Sequence, residues 1–231
     1  MSFQAHTDYF GISTANGSAF VITDSNENRT AQTVSGHDEK GDIVAFEVYG
    51  DTIAPSCSYV LKAAGSLGDI VIGDALTSGD KKVTITNVSI STGAGSPPKI
   101  DVSGEEVPSD TSHSDCTYTV PSASIAVCHH AQILWSAFTI GGTGCYLTEA
   151  NYTVSATLTK AQKDGDTVAY DVSDGQITAT VTIQQTGTTV PTFTAGSGWT
   201  VTSPLSASRA DASLKTWTAT VSKYLAHDSN T

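Results

Sequence analysis

The softest metal ligands in the chain lie close together: Cys128, His129 and His130 are consecutive, with Cys116 and Cys145 near them in sequence. Zinc needs four donors converging on a tetrahedron, usually from paired spacings. Adjacent histidines on a strand point to opposite faces, so His129 and His130 are expected in packed or surface roles. The Asp24-Ser-Asn-Glu-Asn28 run imitates the start of a calcium loop. It places Arg29 where that loop needs glycine and Ser35 where it needs glutamate, so a simple turn is expected there. Gly73 through Gly79-Asp80-Lys81 has the wrong spacing for a phosphate loop, and Gly142-Thr-Gly144 lacks a third glycine and a following helix. No nucleophile–base pattern is present. Glu105-Glu106, Asp164 and Asp166 are acids that a cleft could use, but in turns they are expected to be solvated. The sequence therefore predicts no catalytic, cofactor-binding or metal-ligating residue, and no enzyme.

The charge balance narrows the partners. Acids outnumber bases 23 to 11 for a net charge of −12, and Arg29 and Arg209 are the only arginines. Such a surface repels phosphate, which argues against a reader of nucleic-acid sequence. No stretch of 18 apolar residues exists to cross a membrane as a helix. Met1–Asp8 has neither a basic start nor an apolar core, so no export signal is expected. The four cysteines, Cys57, Cys116, Cys128 and Cys145, then read as free and mostly buried thiols, although Cys116–Cys128 or Cys128–Cys145 pairing is geometrically open.

The elements follow from period-two alternation. Thr (34) and Ser (28) exceed a quarter of the 231 residues, and threonine favours pleated, half-exposed surface. Strands are expected at 42–50, 58–63, 82–91, 152–159, 176–184 and 214–222. In the run from Gln176 to Gln184, Ile177, Ala179, Val181 and Ile183 make one apolar face and Thr178, Thr180 and Thr182 a wet one. The alternation of 82–91 slips at Thr86-Asn87, where a bulge would fit. Turn chemistry punctuates the runs at 38–41, 78–80, 93–98, 163–166, 173–175 and 196–198. Residues 125–135 suit a short buried helix or a strand, and Pro204 suits the first turn of a helix over 203–213. Of the tryptophans, Trp217 is expected in the core; Trp199 is expected there too, with an interface anchor as the alternative.

The fold class expected is all-β with minor α: two tandem β-sandwich or barrel-like domains from an internal duplication. At an offset of 93, Tyr59 meets Tyr152 and Val88 meets Val181, and both halves show a similar order of strands and turns. The boundaries expected are an N-terminal arm or hairpin over 1–40, a first β domain over 41–125 and a second over 126–231.

Thr7-Asp-Tyr-Phe-Gly-Ile12, Glu39-Lys-Gly-Asp-Ile-Val-Ala-Phe46, and the block Gly68-Asp-Ile-Val-Ile72 with Lys82–Ser91 carry a resemblance of layout and composition. The chain resembles tailed-phage virion proteins, tail tube proteins in particular. That resemblance implies a virion structural subunit, made in the host bacterial cytoplasm, whose copies self-associate as trimers or hexamers into stacked rings. DNA would pass through the channel without specific contact, and other tail proteins would be partners. The alternative is an externally displayed β-sandwich module: a head decoration, a fibre segment or an immunoglobulin-like adhesion protein. A glycan-active β-protein is a third reading, against which the scarcity of aromatic residues argues.

Overall fold

Threonine-rich alternation dominates the chain, and the computed structural model turns nearly all of it into antiparallel strand. It describes residues 7–12, 19–67, 70–78, 81–93, 95–108, 117–125, 131–163, 166–208 and 214–226. The strands are β1 (Phe20–His37), β2 (Ile43–Leu61), β3 (Gly65–Ser66), β4 (Val71–Ile72), β5 (Ala75–Ser78), β6 (Lys81–Gly93), β7 (Ser96–Val107), β8 (Tyr118–Thr119) and β9 (Ser124–Ile125). They continue as β10 (Phe138–Gly141), β11 (Cys145–Lys163), β12 (Asp166–Gln185), β13 (Thr192–Ala195), β14 (Thr200–Ser208) and β15 (Lys215–Tyr224). The all-β class expected from the sequence is the class observed.

One sheet of nine strands runs through both halves, in the order β1-β2-β7-β6-β11-β12-β15-β14, with β5 also on β6. Its inner face is built row by row. Ile22, Tyr59, Ile100, Ile90, Tyr152, Ala179, Val221 and Val201 stand opposite one another across eight strands. All but the two end residues are buried. The two-stranded pairs β3–β9, β4–β8 and β10–β13 lie off this sheet. Leu67, Ile72, Tyr118, Val120, Ile125, Leu134 and Phe138 join the sheet's inner face in one hydrophobic cluster with members from both halves. Each such side chain, once buried, contributes about 1.5–3 kcal/mol.

The N-terminal segment closes part of this layer. Phe10 and Ile12 are buried, the Tyr59 hydroxyl donates to Asp8 Oδ1, and the Tyr9 hydroxyl donates to Glu27 Oε2 at 3.1 Å. Burial and the nearby Asp8 carboxylate push the Tyr59 phenol well above its usual range. Cys57, beneath the same segment, is a buried free thiol, its pKa raised by burial.

On the opposite half, Tyr152 anchors the irregular loop 131–137. Its hydroxyl accepts from Leu134 N–H and donates to the Gln132 carbonyl, both at 2.8 Å. Burial pushes the Tyr152 phenol up to about 12. Trp135 and Ser136 both adopt left-handed backbone, φ 53° and 50°. That conformation is costly for non-glycine residues. The Trp135 indole N–H bonded to the Pro121 carbonyl at 2.8 Å helps hold it.

Of the local expectations, some are corrected and two are met. Thr200–Ser208 is strand β14 where a helix was expected; residues 209–213 lie outside the described residues. Pro204 falls at a register irregularity of this edge strand, where a missing N–H costs no ladder bond. Ser173-Asp-Gly175 does not reverse the chain. It makes a bulge inside β12, with Asp174 left-handed at φ 56°. Asp24–Asn28 lies in β1 because it pairs with 54–58 of β2. Residues 20–37, expected in an N-terminal arm or hairpin, form the first strand of the β1–β2 hairpin at one end of the large sheet. The slip expected at Thr86 is a bulge between Ile85 and Asn87, and Asp38–Gly41 is the β1–β2 turn, its Asp38 carboxylate accepting from Lys40 N and Asp42 N at 2.8 and 2.9 Å.

Four long strands of each half share one arrangement in the large sheet. β1-β2-β7-β6 and β11-β12-β15-β14 have the same pairing order. Register shifts at Ile22/Asp24, Thr30/Gln32 and Gly36/His37 recur 125 positions later, at Leu147/Glu149, Ser155/Thr157 and Ala161/Gln162. The shift at Ile85/Asn87 recurs at Val201/Ser203. The 93-residue offset set β2 against β11, whereas position in the sheet sets β1 against β11 and β2 against β12.

Candidate functional site

The outer face of the large sheet carries the other parity of every strand. Its central row is Asp24, Ser58, Asp101, Ser89, Thr153, Thr178, Ser222 and Thr200, one residue from each of eight strands. The next row is Val60, Lys99, Ser91, Asn151, Thr180, Thr220 and Ser203, and on the other side stand Asn26, Ser56, Ser103, Asn87, Ser155 and Gln176. Short hydroxyl and amide side chains thus cover the face from one edge strand to the other. They form because threonine and serine alternate with valine, isoleucine and alanine along each strand.

Some of these groups bond one another across the face. Thr180 and Thr220 hydroxyls meet at 3.2 Å, Ser206 and Thr218 at 2.9 Å. The Ser58 hydroxyl donates to Asp101 Oδ1 at 2.5 Å, and Asn151 Nδ2 donates to Glu149 Oε1 at 2.9 Å. The one cation in these three rows, Lys99, is paired with Asp101 at 2.8 Å. With Asp24 also present, the rows carry no excess of positive charge.

A groove of about 810 Å³ crosses the β6–β11 seam, reached by Val60, Ser91, Lys99, Glu149, Thr182 and Gln184 from five strands. Its lining mixes apolar groups such as Val60 and Pro97 with hydroxyls, and its ionisable residues are Lys99 and Glu149. What it can do chemically is present hydroxyls and acids along the sheet face.

The sheet has two open ends among the described residues: β1 pairs only with β2, and β14 only with β15. The first hairpin also extends past its partners. Beyond the bulge at Thr30, both faces of the ribbon are exposed, including Val34, Ile43, Val44, Phe46 and Val48. The equivalent part of the second hairpin is partly packed, with Tyr170 and Val172 buried and Lys160 paired to Glu105 at 2.8 Å.

Among the described residues the chemistry-bearing side chains do not assemble. Cys116, Cys128, His129 and His130 lie outside the described residues, as does Asp164; Cys145 is a half-buried free thiol. Among the described residues no three His, Cys, Asp or Glu side chains converge as a metal site. Asp24, Asn26 and Asn28 project along one strand face instead of circling an ion. Glu105 serves the Lys160 pair, and Glu106 accepts from Ile53 N at 2.9 Å. Trp199 and Trp217 are both buried, the latter donating to Gln185 Oε1 at 2.8 Å. No described helix is long and apolar enough to cross a membrane. The polar rows were half legible, since the alternation was visible but the joining of the halves was not. Compared with known proteins, the chain matches no family model and no curated protein.

Proposed function

We propose that the chain is a virion structural subunit of the tail-tube kind, whose copies close into stacked rings around a DNA-conducting channel. The observation that supports it most is the polar face, continuous over eight strands and open at both ends. A phosphate backbone facing hydroxyls, amides and a few acids meets in these rows only Lys99, already paired with Asp101, so DNA slides past. Closing the sheet on further copies removes its exposed edges. The matched halves fit an internal duplication, and hence a ring of three chains with pseudo-six-fold symmetry. The exposed ribbon of the first hairpin suits contact with a neighbouring ring, because an isolated two-stranded ribbon is marginal and an exposed apolar patch invites a partner.

Electron microscopy of the purified full chain at high concentration tests this directly. Rings or tubes with a central channel, together with no retention of duplex DNA at low salt, are the expected result. Compact monomers alone, or a channel lined by lysine, would overturn it. An externally displayed sandwich would instead give monomers or isolated trimers with no channel.

A further inference from the structure

We infer that the outer edge of β14 in one copy pairs antiparallel with the outer edge of β1 in the next, in the register that β6 and β11 use inside a single chain. The inference rests on the self-assembly part of the proposal above, and names the surface and the register by which copies join.

The argument is one of equivalent positions. β6 stands to the first half as β14 stands to the second: Ser89 lies opposite Asp101 on β7, and Ser206 lies opposite Thr218 on β15. β11 stands to the second half as β1 stands to the first: Thr153 lies opposite Thr178 on β12, and Asn28 opposite Ala54 on β2. Within the chain, the β6 and β11 edges are joined from Asn87↔Ser155 to Gly93↔Glu149. The corresponding β14 and β1 edges are joined to nothing among the described residues.

Transferring the seam fixes the partners. Ser89↔Thr153 becomes Ser206 opposite Asn28 of the next copy, and Ser91↔Asn151 becomes Ser208 opposite Asn26. Parity is preserved. Ser206 and Ser208 stand opposite Thr218 and Thr216 on the polar face, and Asn26 and Asn28 share that face with Asp24. A one-residue slip would break every polar row at the junction. Ser206, Ser208, Asn26 and Asn28 are all exposed. Because the two edges differ, the contact is head-to-tail and propagates until it closes into a ring or runs on as a filament.

Disulfide trapping tests the register. Ser206→Cys chains are co-assembled with Asn28→Cys chains, so that any new cross-link joins two copies, and imaged in the same samples. The expected result is a dimer on non-reducing gels several-fold stronger than that from Ser206→Cys with Asp24→Cys, four residues out of register. Ser206→Lys/Asn28→Lys assembles less than the wild type, and Ser206→Lys/Asn28→Glu recovers it, since like charges directly opposite oppose pairing. Rings that form with neither the cross-link nor the charge effect overturn the seam and leave the tube reading standing. Cross-linked open chains without rings support the seam and count against the tube. Monomers without either overturn both.

Discussion

Thr23 and Thr148 occupy the same place in two copies of one bulge. The Thr23 hydroxyl donates to the Ser58 carbonyl at 3.2 Å, and the Thr148 hydroxyl donates to the Thr182 carbonyl at 3.0 Å. A second pair repeats the device: Thr86 bonds the Ser103 carbonyl at 3.4 Å and Thr202 the Thr220 carbonyl at 3.3 Å. Each threonine supplies a bond where the irregular register disturbs the ladder. Thr148→Val, which keeps the shape and removes the donor, is expected to cost about 1 kcal/mol. Thr23→Val, at an exposed site, is expected to cost less than half of that. Urea unfolding of the two variants checks the order; equal losses would show that the hydroxyls do not hold the bulges.

Tyr152 governs the loop beneath the second half. Tyr152→Phe leaves the Leu134 N–H without its acceptor in a buried setting, with an expected loss of about 1–3 kcal/mol. The pH dependence has a definite sign. The folded phenol titrates near 12, above the ordinary value of 10. The stabilisation is therefore complete below pH 10 and drains as pH rises through 12. A shift of this size corresponds to roughly 2–3 kcal/mol. Wild type and Tyr152→Phe should converge in stability across that window, which thermal melts followed with tyrosinate absorbance would record.

Gly175 sits directly under the Tyr118 ring, and a β-carbon there would overlap the ring atoms. Gly175→Ala is expected to displace Tyr118 and cost about 1–3 kcal/mol. A melting temperature unchanged from wild type would disprove the contact.

The ribbon of the first hairpin gives a prediction that separates folding from assembly. Phe46 is 64% exposed and Val44 66%. Replacing both with serine should leave subunit stability within about 0.5 kcal/mol while shortening tubes or leaving single rings. Sedimentation and imaging of the same preparation read both quantities; full-length tubes would rule the ribbon out as a ring-to-ring contact.

Charge on the polar face offers the last test. Thr153→Lys/Thr180→Lys places two cations in the central rows. Assemblies of this variant should retain duplex DNA at low salt and release it at high salt. Wild-type assemblies should retain none. Equal behaviour of the two would remove the polar face from the proposed channel.

The strand content and the wet and dry faces were legible because alternation with β-branched residues is a local signal. The bulge at Thr86 was legible for the same reason, as a slip in that alternation. The equivalence of the halves was not. Tyr59 and Tyr152 aligned at an offset of 93 because both belong to one core row, and any two strands crossing the same rows show the same alternation. The true correspondence lies in where the register breaks, and pairing alone reveals that. Asp174-Gly175 could not announce a bulge, since the same dipeptide serves a hairpin turn equally well. β14 was hidden by Pro204, whose cap chemistry fits a helix start as readily as an open strand edge. The outer face escaped recognition as a single surface because its rows are completed only when β6 meets β11.

That meeting has a mechanical consequence. The β6 and β11 edges are tethered by one polypeptide, so when their ladder parts they stay at high local concentration and re-form at once. A seam between separate molecules has no such tether and, once open, is lost to dilution. Any assembly built from this chain would therefore alternate durable and labile joints, and under load or dilution would come apart only at every second one.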